Sequence, residues 1–133
     1  MKIIEVEGIG PKFAEKLHGA DIQTTEDLLE AGRTPGGRER LSAASGISTG
    51  MLLEWINHAD LMRVKGIGSE YADLLEAAGV DTVTELARRN AKNLAAAMAD
   101  FNIQKEIVRV VPSEAVVTGW IAEAKTLGRT IEY

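Results

Sequence analysis

The sequence predicts an all-α protein of short helices, arranged as two tandem, pseudo-equivalent units packed as one compact body. Three observations carry that prediction. The composition is helical in character, rich in Ala, Leu and Glu, with 45% hydrophobic residues, 26% charged residues and only three prolines. Apolar residues recur at helical spacing in one segment after another, and many of those segments open on Ser or Thr. The chain also repeats itself: Val6-Glu7-Gly8-Ile9-Gly10 returns as Val64-Lys65-Gly66-Ile67-Gly68. With Gly8 set on Gly66, Phe13 pairs with Tyr71, Ala14 with Ala72, Leu17 with Leu75, Ile22 with Val80, Thr24 with Thr82 and Leu28 with Leu86. The units predicted by this duplication are residues 1–61 and 62–133.

Taken in order, residues 1–5 are β-prone and too short for a stable helix before Gly8, so they read as a capping segment. A Gly-apolar-Gly step suits a tight turn between helices, because the glycines permit positive φ while the central Ile plugs into the core. Pro11 suits a first helical position, and Phe13, Ala14, Leu17 and Ala20 share a face, predicting a helix that stops near Gly19 to Asp21. Thr24-Thr25-Glu26-Asp27 predicts an N-cap and a short helix to Gly32, and Thr34-Pro35 starts another that ends at Ser45. Gly46-Ile47-Ser48 repeats the turn with Ser for the second Gly. Met51, Leu52, Trp55, Ile56, Ala59 and Met62 mark a well-buried helix.

In the second unit, Tyr71, Leu74, Leu75 and Ala78 form a stripe, and Thr82-Val83-Thr84-Glu85 matches a capping box. Further on, Ser48 pairs with Ser113, Trp55-Ile56 with Trp120-Ile121 and Ala59 with Ala124, an offset seven residues larger than at the first turn. The expansion lies between Asn90 and Val111. It predicts a helix around Leu94 to Phe101 and a further helical turn around Lys105 to Arg109. The fourth turn, Val111-Pro112-Ser113, has lost its glycine. The alternating piece Arg129 to Tyr133 is expected to lie near Ile3 and Ile4, with pairing between them as one arrangement.

Composition narrows the function classes. Net charge is −5, with six basic and ten acidic residues up to position 61, then nine and ten, so bulk attraction to nucleic acid is absent and binding must rest on local groups. No apolar run is long enough to span a bilayer, and the start lacks the long apolar segment of a secretory signal, which points to a cytoplasmic protein. The absence of cysteine excludes disulfides, thiol catalysis and thiolate zinc sites.

The Gly-Ile-Gly turns followed by Ala14-Glu15-Lys16-Leu17 and Ala72-Asp73-Leu74-Leu75 resemble helix-hairpin-helix motifs, like those in RadA-type recombinases and bacterial DNA ligases. Over nearly its whole length the chain is similar to an uncharacterised bacterial family, a domain of unknown function, of duplicated helix-hairpin-helix units. The resemblance implies non-sequence-specific DNA binding, with hairpin amides and a nearby cation on phosphates. Carried over by position, the contacts are Gly8, Ile9, Gly10 and Lys12 in the first hairpin, and Gly46, Ile47 and Ser48 in the next. The central one supplies Gly66, Ile67 and Gly68, with Arg63 and Lys65 ahead of it. The central hairpin has Glu70 where the first has Lys12, and the first has Glu7 where the central one has Lys65.

Other readings weigh less. Gly-x-Gly lacks the third glycine of a dinucleotide fingerprint, because Phe13 and Tyr71 stand there. Trp55 and Trp120 sit among aliphatic residues and read as core. Asp21, Glu26, Asp27 and Glu30 read as helix-terminal acids rather than a metal cluster, and His18 and His58 as exposed spectators. With no nucleophile–base pair or phosphate-binding lysine loop, no catalytic residue, metal or cofactor is expected. The expected function is a non-enzymatic DNA-binding module on duplex or branched DNA; the alternative, favoured by the acidic balance, is a protein-interaction adaptor with the same fold.

Overall fold

The computed structural model describes residues 1–133. It is all-α. A 3-10 turn at Ile3–Glu5 precedes α1 (Pro11–Gly19), α2 (Thr25–Gly32), α3 (Pro35–Ser45), α4 (Thr49–Leu61), α5 (Ser69–Ala77), α6 (Val83–Ala87), α7 (Ala91–Lys105) and α8 (Glu114–Leu127). There is no strand, and the one β-bridge, between Lys2 and Thr24, is isolated. No helix is long and apolar enough to cross a membrane.

Helices this short have marginal intrinsic stability, so their ends are closed deliberately. The side chains of Thr24, Thr34, Ser48, Thr82, Asn90 and Ser113 each accept an amide from the first turn of the helix they precede, at 3.0–3.3 Å. The duplication extends to these caps. Asp27 accepts the amides of Gln23 and Thr24, and Glu85, its counterpart, accepts that of Asp81. After α1 and α5 the chain turns through a left-handed residue, Asp21 (φ 67°) in one case and its counterpart Gly79 (φ 93°) in the other.

The chain divides into two compact units, Met1–Asp60 with Thr130–Tyr133, and Leu61–Arg129. The last four residues therefore group with the first unit rather than the second. In the first unit Ile3, Leu17, Leu28, Leu52, Ile56 and Ile131 are fully buried. In the second, Leu61, Leu74, Leu75, Leu86, Leu94 and Met98 form the centre of the core.

Three expectations are corrected. The helical turn around Lys105 to Arg109 does not form. Glu106 adopts a left-handed conformation (φ 48°) that ends α7, and Asn102 then holds the following loop, donating to the Val108 carbonyl and accepting its amide, both at 2.9 Å. His58 is buried, 4% exposed, as are Ala59, Asp60 and Leu61 beside it at the end of α4; His18 is exposed. The C-terminal piece does not pair with Ile3 and Ile4. Ile3 donates instead to Gln23 and Thr25 to Met1, while Glu132 donates to the Arg33 carbonyl at 2.7 Å.

Candidate nucleic-acid interface at the Gly-Ile-Gly turns

The two Gly-Ile-Gly turns share one hydrogen-bond plan. Val6 donates to Ile3 and Ile9 to Val6; 58 positions on, Val64 donates to Leu61 and Ile67 to Val64, all at 3.0–3.2 Å. Gly8 (φ 89°) and Gly66 (φ 95°) carry the positive φ that reverses the chain, and Ile9 and Ile67, both 4% exposed, point inward. Beneath each turn lies a tryptophan. A Cβ on Gly8 would stand 3.4 Å from the indole nitrogen of Trp55, and one on Gly66 3.2 Å from that of Trp120. Each indole packs on the aromatic ring of the following helix, Phe13 at 5.1 Å and Tyr71 at 5.3 Å between centroids. A rigid ring thus supports each turn from inside.

The helices that leave these turns begin differently from the other six. Gly10 before α1 and Gly68 before α5 are extended and have no side chain with which to cap, so the first-turn amides of Lys12 and Phe13, and of Glu70 and Tyr71, stay open. At the third turn Gly46 (φ 75°) also reverses the chain, but Ile47 donates to Ser45 Oγ and Ser48 Oγ takes the Met51 amide. The fourth turn is closed likewise by Ser113. Gly46, Ile47 and Ser48 therefore present a self-capped end.

Charge separates the two open turns further. Lys12 is exposed on the first turn of α1, and Lys16 stands one turn on, its ammonium 5.7 Å from the Phe13 ring centroid. The central turn carries exposed Lys65, but the Lys65 amide donates to the Glu123 carboxylate at 2.9 Å, and Glu70 occupies the position of Lys12. Arg63 is committed elsewhere. Its two terminal nitrogens donate to the carbonyls of Leu127 and Gly128 at 3.1 Å, closing the end of α8. The predicted residues therefore lie on three turns of unequal charge and closure, with Arg63 acting as a structural clasp.

The acids near α2 do not converge on a metal position. Glu26 meets the Met1 amine at 3.4 Å, Asp27 caps its helix, and Glu30 lies 3.8 Å from Arg33. Hydrogen bonding from its own backbone amide holds the Glu26 carboxyl below its usual range, with help from the Met1 amine. The amides of Gln23 and Thr24 do the same for Asp27.

Two cationic features escaped the sequence reading. Arg38 is 6% exposed; it donates to the carbonyls of Gly32 and Glu132 at 2.9 Å and lies 5.9 Å from the Tyr133 ring centroid. Arg88 and Arg89 follow α6 and Lys92 stands in the first turn of α7; of these Arg89 lines a pocket that Lys125 joins from α8. Their spacing, three cations in five residues, was the available signal.

These features define an all-α protein that places a duplicated Gly-Ile-Gly turn over a buried tryptophan in each unit. Over residues 7–127 the chain matches the family described as Domain of unknown function (DUF4332), and it belongs to that family. Neither the curated proteins nor the solved structures contain a match.

Proposed function

We propose that the chain is a non-enzymatic, non-sequence-specific DNA-binding module of helix-hairpin-helix type. In this reading the hairpin Gly8–Gly10 and the open amides of α1 seat a backbone phosphate, with Lys12 beside it. One observation carries the reading. Six of the eight helices close their first turn with a Ser, Thr or Asn side chain, and the two that do not are those following Gly-Ile-Gly. Amides left open at a helix start, next to a lysine and on a turn held rigid by Trp55, suit a phosphate oxygen.

The central hairpin is the weaker partner. Glu70 and Glu123 bring carboxylates to it, and like charge opposes a phosphate there. Binding rests mainly on the first unit, and neutralising about two phosphates with Lys12 and Lys16 gives a slope of log affinity against log salt of about −2. Fluorescence anisotropy with duplex, single-stranded and branched DNA, at low and physiological salt, tests this. The expected result is binding at low salt that fades along that slope, with Lys12→Glu far more damaging than Lys65→Glu. No binding at low salt, or binding indifferent to both changes together, refutes the hairpin mechanism.

A protein-interaction adaptor is the second reading. Ile103 (78% exposed), Val110 (69%) and Val116 (46%) favour it, since they leave large apolar side chains in water along the stretch that contains the expansion of the second unit.

A further inference from the structure

In the second unit α8 packs against α6 and α7. Where the junction of α6 and α7 faces α8, the surface forms a pocket of about 450 Å³, with Arg89, Asn90 and Ala91 on one wall and Thr118, Ile121 and Lys125 on the other. The residues from α8 are three, four or seven positions apart and so share one face of that helix. Two cations and no carboxylate line this pocket, in a chain whose acidic residues outnumber its basic ones by 20 to 15. Its charge is the inverse of the protein's.

The two cations have different roles. Arg89 is half-buried, and one terminal nitrogen donates to the Ala78 carbonyl at 3.3 Å, which fixes the guanidinium and leaves the rest of its fork without an ion pair. Lys125 is exposed in the last turn of α8 and supplies a point charge from the opposite wall. Arg88 and Lys92, both exposed, add to the local positive potential. At the start of α7 the Asn90 side chain takes the Asn93 amide.

We propose that this pocket binds a phosphate group, held between Arg89 and Lys125, at a site separate from the Gly-Ile-Gly turns. An arginine on one wall, with donors left over from its bond to Ala78, and a lysine on the other suit a tetrahedral oxyanion, which offers acceptor oxygens in both directions. Ile121 and Ala91 add apolar surface to the two walls, beside which charge interactions are less screened than in open water. The phosphate group is common to a free phosphate monoester and to a nucleic-acid backbone.

The test is an amide-resolved NMR titration of the full chain with inorganic phosphate, with a nucleoside monophosphate and with a short DNA duplex. Saturable shifts at Ala91, Lys92 and Thr118 are expected. Shifts with the small phosphates alone identify a small-molecule site, and shifts with the duplex identify a backbone contact. Lys125→Glu weakens the interaction by about ten-fold or more, the scale of one charge-assisted hydrogen bond. Ala122→Glu, at an exposed position on the same pocket, does likewise while keeping both cations. Lys12→Glu leaves these shifts intact, which separates this site from the hairpin. No saturable shift at the pocket with any of the three ligands, shifts unchanged in both pocket variants, or shifts abolished by Lys12→Glu would overturn the assignment.

Discussion

Replacing Gly66 by Ala tests the link between the duplicated turn and the tryptophan beneath it. Two costs are expected. At φ 95° an L residue meets its own carbonyl, which costs about 1–3 kcal/mol. The new methyl would also stand 3.2 Å from the Trp120 indole nitrogen, and that ring is 5% exposed and packed on Tyr71, so it has little room to move. With overpacking adding about 1–3 kcal/mol, the sum is a destabilisation of about 2–6 kcal/mol, a large share of the roughly 5–15 kcal/mol that holds a typical domain folded. Gly119→Ala is the internal control. Gly119 lies inside α8, and a methyl group there would meet nothing within 4 Å, so the change should stabilise by about 0.5–1 kcal/mol through helix propensity and the unfolded chain. Urea denaturation followed by tryptophan fluorescence reads both, because each unit holds one of the two tryptophans. A Gly66→Ala protein within about 0.5 kcal/mol of the wild type, the scatter of neutral surface changes, would refute this account of the turn.

Arg38→Ala should cost about 2–4 kcal/mol, because two charge-assisted hydrogen bonds go and the Gly32 and Glu132 carbonyls lose their partner. Hydrogen exchange at the Glu132 amide should speed up in that variant, since this amide bonds Arg33 in the same corner; unchanged protection would speak against the clasp. Glu26 and Asp27 have folded-state pKa values below their ordinary values of 4.5 and 3.8. Their contribution is therefore complete above those values and is lost as pH falls through the lowered ones. Asp27→Asn should accordingly be less stable than the wild type near neutral pH and converge on it as pH falls through the lowered Asp27 value. A constant gap across that range would show that the charge of Asp27 is irrelevant to its cap.

Much of the fold was readable because its determinants are local. Thr24, Thr34, Thr82 and the turn glycines act on neighbours within four residues, and the pairing of Trp55 with Trp120 follows from repetition alone. What escaped depends on distant partners. Nothing near Arg38 in sequence announces that its charge would be buried against carbonyls, one of them 94 residues away. The span Lys105 to Arg109 has no helix breaker, and it leaves the helical path through the left-handed Glu106 and the reach of Asn102 to Val108. His58 looks like a surface residue until the packing around α4 is known. The proposed interface divides in the same way. The glycines were evident as a pattern, whereas the commitment of Arg63 to α8 and the carboxylate of Glu123 at the Lys65 amide arise from helices that meet only in the folded unit.

The return of Thr130–Tyr133 to the first unit has a topological consequence. A plain tandem duplication is two beads joined by one thread, and either bead can be cut free. Here the chain leaves the first unit after Asp60 and re-enters it at Thr130, so the second copy is an insertion tethered at both of its ends. A fragment ending at Asp60 would lack Ile131, which is fully buried, and the Glu132 carbonyl that Arg38 grips. Residues 61–129, by contrast, form a closed segment that a single pair of cuts would release, so the repeat that came second in sequence is the better candidate for independent folding.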